Sequence, residues 1–184
     1  MRDVHEKSQP LPRIYSFPYI AREDARVLIL GSMPSVASLA AGQYYAHPRN
    51  AFWPIMSALL NEGDSSGGGG VDWVKRREML TKHHVALWDV AQACVREGSA
   101  DASIRDAEPN RISGLLEACP DIRAICLNGQ KAAEMFRSMV APGLTDAQRT
   151  IPRVTLPSTS PARAVRFEVK LAEWQIVGSF LETK

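Results

Sequence analysis

Four short apolar runs, each closed by small or polar residues, punctuate the chain: RVLILGS (26–32), VALWD (85–89), IRAICLNG (122–129) and the start of RVTLPSTSPARA (153–164). The apolar positions run nearly continuously instead of alternating, the pattern of strands buried on both faces of a parallel sheet. Between them lie segments with helical spacing. AFWPIMSALL (51–60) places Phe52, Ile55, Met56, Leu59 and Leu60 on one stripe, with Pro54 in the first turn, where its missing N–H does no harm. WVKRREMLTKHH (73–84), ISGLLEACP (112–120), QKAAEMFRSMV (130–140) and the closing VRFEVKLAEWQIVGSFLETK (165–184) predict further helices. The alternation predicts an α/β domain: three αβα layers around a central four-stranded parallel sheet. Ligands bind such sheets at the carboxyl ends of the strands. Those ends read GSMPS, WDVAQ, LNGQK and LPSTS, small and polar where the strands are apolar, and predict one composite site.

One segment fits neither period. GQYYAHPRNAFWPI (42–55) gathers tyrosines, His-Pro, Arg49, Asn50 and the Phe52-Trp53 pair in a chain that is only 7% aromatic. A core would use aliphatics at regular spacing; a flat ligand with polar edges would want rings beside hydrogen-bonding groups. Residues 1–24 read as an arm across the body, and NEGDSSGGGG (61–70) as a flexible loop by composition. With no internal repeat, 1–184 reads as a single domain.

Composition narrows the classes. With 45% hydrophobic and 23% charged residues and a net charge of +2, the chain is ordinary for a globular domain, and any basic footprint must be local. No apolar run reaches the roughly 18 residues of a membrane span, and MRDVHEKSQPLPR has no apolar signal core. A cytoplasmic monomer without membrane contact is expected. Cys94, Cys119 and Cys126 form no CxxC pair and read as small apolar residues. His83 and His84 lack carboxylates at ligand spacing, so no metal and no cofactor is expected. The serine rims offer hydroxyls and N–H groups that suit phosphate, but neither GxxxxGK[ST] nor GxGxxG is present.

GSMPSVASLAAGQYYAHPRNAFW (31–53) resembles the first motif of the uracil-DNA glycosylase superfamily. It aligns without a gap with the GINPG to FAHPANRFW block of the mismatch-specific uracil-DNA glycosylases. Together with ALWDV (86–90) and LPSTSPA (156–162) it is most similar to the hypoxanthine-DNA glycosylase branch, over about 26–164. The resemblance implies that Tyr45 stacks on a base flipped from the duplex, a contact worth about 1–3 kcal/mol. It implies that Asp89 stands where the family reads the base edge, often with asparagine. A carboxylate there accepts an N–H but cannot donate to a carbonyl. On the residues alone, Asp89 capping a turn or pairing with Arg96 or Arg105 is the competing reading.

Two positions depart from the family. Met33 stands where an aspartate or asparagine usually positions water, and Leu156 where the second motif usually opens with histidine. Asn50, then Asp89, are left as the catalytic candidates. Ser32, Met33, Tyr45 and Asp89 are expected at the base, and Ser35, Ser158, Thr159, Ser160 and Arg163 at the DNA. Phe52 and Trp53 read as anchors in the core, Arg166 as a surface or phosphate-facing residue, and Asn128 as a turn former. The activity implied is that of a monofunctional glycosylase that removes uracil or hypoxanthine and leaves an abasic site. A non-catalytic binder of damaged DNA and a nucleoside hydrolase-like enzyme are the alternatives.

Overall fold

The structure, a computed structural model, describes residues 11–63 and 73–182. The apolar runs form strands β2 (Val27–Gly31), β3 (Val85–Asp89), β6 (Ala124–Asn128) and β7 (Arg153–Leu156). They pair in parallel in the order β3-β2-β6-β7. Alternate residues serve opposite faces. Leu28, Leu30, Ala86, Ile125 and Leu127 pack against α4 (Ile112–Ala118) and α5 (Gln130–Met135). Val27, Ile29, Val85, Leu87 and Cys126 pack against α2 (Phe52–Leu59), α3 (Trp73–Lys82), α7 (Phe167–Trp174) and α8 (Ile176–Leu181). This is the three-layer arrangement the sequence predicts. Each of the buried Val, Leu and Ile side chains among them contributes about 1.5–3 kcal/mol.

The register places Gly31 beside Asp89 and Asn128 beside Leu156. The polar strand ends are thereby brought to one edge of the sheet.

Several features depart from expectation. The arm is part of the fold from its β1 (Arg13–Tyr15) onward, because β1 pairs antiparallel with β4 (Ala91–Val95). β4 in turn pairs with β5 (Arg105–Pro109), giving a second, three-stranded sheet. β5 is polar and largely exposed, so no apolar pattern marks it. After β1 the chain stays tied down: Ser16 N–H donates to Gln92 O at 2.8 Å, and Ile20 bridges Leu87. A short helix, α1 (Val36–Ala41), follows the GSMPS rim; the Ser35 hydroxyl caps its start and left-handed Gly42 its end. The 130–140 helix becomes a π turn from Phe136, and the closing helix divides at Gln175. A further short helix, α6 (Asp146–Arg149), opens with a capping box from Thr145 and Gln148. The part of the Gly-rich loop over 64–70 lies outside the described residues.

Candidate active site

The 42–53 segment is a scaffold for one ring. Tyr44 is buried, its carbonyl receives the Trp53 indole N–H at 2.9 Å, and its hydroxyl donates to Phe17 O and Pro18 O. With Tyr44 pinned and the chain committed to enter α2, Tyr45 takes a left-handed backbone, φ 52°. That conformation is uncommon for an aromatic residue and persists only where the surroundings impose it. One face of the Tyr45 ring stacks on Phe52, centroids 4.0 Å apart and 22° from parallel. Asn50 sits just before α2 and braces its entry: its Oδ1 accepts the Phe52 N–H at 3.0 Å. That bond fixes which end of the amide is oxygen and leaves Oδ1 a second lone pair.

Above the strand ends lies a cavity of about 420 Å³. Gly31 to Ser35, Tyr45, Asn50, Asp89, Asn128 and Ser158 to Ser160 all line it, so all four strand ends contribute. Asp89 is its most buried carboxylate, with 2% of its surface exposed. Oδ2 accepts a 2.7 Å hydrogen bond from the Ser16 hydroxyl. A Cβ on Gly31 would stand 2.5 Å from Asp89 Oδ1 and 2.9 Å from the Tyr45 hydroxyl. The glycine is therefore what lets these two groups converge. Burial pushes the Asp89 carboxyl up to about 7, against the Ser16 hydrogen bond and the Arg96 charge; Asp101 adds to the rise. Burial likewise raises the Tyr45 phenol far above its ordinary value, so it stays a neutral hydroxyl.

Neither arginine pairs with Asp89. Arg96 is buried and donates to Pro34 O and Gly98 O, bracing the GSMPS rim against the turn after β4, while Arg105 is exposed. The partner is Ser16, 73 residues away in sequence, which no local pattern could have named.

The serine loop is built from within. Asn128 Nδ2 donates to Thr159 Oγ1 at 2.9 Å and to the Tyr45 hydroxyl at 3.1 Å, and Asn128 Oδ1 accepts the Thr159 N–H at 2.9 Å. Asn128 is thus more than a turn former; it ties the serine loop to the aromatic ring. Thr159, expected at the DNA, is 1% exposed, and its carbonyl accepts the Ala51 N–H. Its polar groups are spent inside the protein, which corrects its place as an outward contact. Ser158 and Ser160 line the cavity and are linked by a turn bond from Ser160 N–H to Ser158 Oγ. Lys170, buried in α7, donates to Ser160 O at 3.1 Å.

The remaining expected residues divide by role. Ser32 lines the cavity, but its hydroxyl donates to Asp101 Oδ1 at 2.8 Å, so its backbone is the part left for a ligand. Ser35 spends its hydroxyl on the start of α1. Met33 and Leu156 are buried among apolar side chains. Arg163 and Arg166 are exposed beyond the serine loop. His83 and His84 face separate carboxylates, Glu62 and Asp24.

Comparison with known proteins bears on what this arrangement does. The family model described as the uracil DNA glycosylase superfamily matches residues 17–179. The chain is 35% identical to a hypoxanthine DNA glycosylase of Methanosarcina acetivorans over 161 residues, covering 88% of this chain and 95% of that one. It is 36% identical to a hypoxanthine DNA glycosylase of Methanosarcina barkeri over 118 residues, covering 64% and 72%. A solution NMR structure of a candidate uracil DNA glycosylase from Methanosarcina acetivorans superposes with a TM-score of 0.75 at 34% identity, covering 94% of this chain and all of that one.

Proposed function

As a member of the uracil DNA glycosylase superfamily the chain is a DNA glycosylase, and we propose that it excises a deaminated base, hypoxanthine foremost and uracil second, from DNA by base flipping. The relatives named for hypoxanthine support the order of the two bases. The observation that carries the reading is the convergence of Asp89 and Tyr45 over Gly31 inside a cavity lined by all four strand ends.

Each group then has a task. The flipped base lies on Tyr45, whose other face is backed by Phe52; stacking suits any base and offsets part of the few kcal/mol of unstacking. Ionised Asp89 accepts the ring N–H that both hypoxanthine and uracil present. As the N-glycosidic bond breaks, its electron pair leaves with the base and positive charge develops on the sugar. Backbone N–H groups of the GSMPS rim stabilise the departing base. The free lone pair of Asn50 Oδ1 accepts an O–H from the water that adds to the sugar carbon; the proton that this water sheds passes to solvent, and the departing base anion takes one up from solvent. Met33 supplies neither a proton acceptor nor a donor, so the reaction depends on electrostatic stabilisation of the leaving base and not on a strong base. The product is an abasic site, the substrate of the next step of base excision repair.

The test is single-turnover incubation with duplexes bearing hypoxanthine or uracil, followed by alkaline cleavage at abasic sites. Strand breaks at the lesion are expected, and Asn50→Ala is expected to slow them by about 10²–10³. Met33 and Leu156 favour a second reading, a non-catalytic binder. Tight binding to abasic DNA with no excision of any lesion would establish it instead.

A further inference from the structure

We infer that Ser16 is a positioning residue for base recognition: its hydroxyl, bound to Asp89 Oδ2, holds the carboxylate so that Oδ1 faces the gap between Gly31 and Tyr45. The inference rests on Asp89 being the group that accepts the base N–H. Ser16 lies one residue outside the 17–179 stretch that the family model matches, within the 1–24 segment that the sequence offers only as an arm.

The geometry is specific. A carboxyl group turns readily about its last bond, with broad, two-fold preferences, so burial alone does not fix the plane in which its oxygens lie. The 2.7 Å bond from Ser16 Oγ to Oδ2 fixes that plane and leaves the other oxygen turned toward the gap. Ser16 is itself held. Its N–H donates to Gln92 O, and the next residue's carbonyl, Phe17 O, receives the Trp88 indole N–H at 2.9 Å and the Tyr44 hydroxyl at 3.2 Å. Trp88 precedes Asp89 on β3, so the strap is fastened to the strand that carries the carboxylate. The arm therefore completes the site's wall.

The hydroxyl also acts on charge. It donates to the ionised carboxylate and so favours the form that accepts an N–H. The other groups facing Asp89 are Arg96, which favours the ionised form, Asp101, which opposes it, and the Tyr44 and Tyr45 phenols, both held neutral by burial.

The experiment measures single-turnover excision of hypoxanthine against pH for the wild type, Ser16→Ala, Ser16→Thr, Asp89→Asn and the double variant Ser16→Ala/Asp89→Asn. In the wild type the rate rises with pH as Asp89 ionises. Ser16→Ala is expected to move that acid limb upward by about one pH unit and to lower the plateau several-fold. Ser16→Thr keeps the hydroxyl and restores both. The double variant should match Asp89→Asn alone, because without the carboxylate Ser16 has nothing to orient. A slow Asp89→Asn with an unmoved acid limb in Ser16→Ala overturns the inference. A wild-type rate in Asp89→Asn overturns the reading of Asp89 itself.

Discussion

Asp89 Oδ1 stands 2.5 Å from the point a Cβ would occupy on Gly31, its register partner on the adjacent strand. A methyl group cannot fit there. Gly31→Ala must push away both the carboxylate and the Tyr45 hydroxyl, 2.9 Å from the same point. A displacement near 1 Å in a reacting site costs about 10² in rate. Gly31→Ala is therefore expected to retain its fold by circular dichroism and to lose about that factor in single-turnover excision. A variant at the wild-type rate would mean that the two groups do not act on the substrate from this position.

The same carboxylate sets a trade between function and stability. Burial lifts Asp89 from 3.8 to about 7. Between those values the folded protein holds a proton that the unfolded chain has released, so stability falls as pH rises through this window. Above about pH 7 the cost of burying the charge is fully present. Asp89→Asn removes it. The variant is expected to melt several degrees above the wild type at pH 8, each kcal/mol being worth about 2–4 °C in a chain of this size. At pH 4 the two should melt together. Excision should fall in the same variant that gains stability; equal melting temperatures at pH 8 would count against a buried charge at this site.

The contrast between Asp89 and Ser16 marks what sequence can carry. The four parallel strands were legible because each is a run of residues buried on both faces, and the rims followed because polarity returns where burial ends. Asn50 and Tyr45 stood out by composition. The second sheet was not legible: β5 is exposed and polar, and its place comes from pairing with β4. Ser16, Asn128 and Arg96 act through contacts with residues far along the chain, so their roles appear only once the strands are in register. Thr159 misled because a hydroxyl between serines reads as surface, whereas its partner Asn128 draws it inside.

Tyr45 offers a test that separates base flipping from general binding. Stacking on an extruded base exists only in the flipped complex. Tyr45→Ala is therefore expected to weaken binding to hypoxanthine-bearing DNA by about 1–3 kcal/mol while leaving affinity for undamaged duplex nearly unchanged. Fluorescence anisotropy at fixed salt measures both. Equal weakening of the two would identify the ring as a core or backbone-contact residue. Tyr45→Phe keeps the stack and loses only the Asn128 hydrogen bond, so it should bind lesion DNA close to the wild type.

Asn128 joins stability to catalysis. Its amide makes three hydrogen bonds, to Thr159 Oγ1, to the Thr159 N–H and to the Tyr45 hydroxyl. Asn128→Ala strands the Thr159 N–H in a nearly dry interior, and an orphaned buried donor costs about 1–3 kcal/mol beyond the bonds themselves. A total loss of about 2–4 kcal/mol is expected, read as a lower urea midpoint at unchanged slope. The loop consequence is separable. Thr159 O also anchors the Ala51 N–H at the entry to α2, so releasing Thr159 loosens the turn that carries Asn50. Excision should fall further in Asn128→Ala than in Tyr45→Phe, which loses only one of the three bonds. Thr159→Val tests the link from the other side: it keeps the backbone N–H and carbonyl and removes the hydroxyl alone. If the loop is the route, Thr159→Val should sit between the wild type and Asn128→Ala in both midpoint and rate. A Thr159→Val variant as slow as Asn128→Ala but as stable as the wild type would instead assign the Thr159 hydroxyl a direct contact with the substrate.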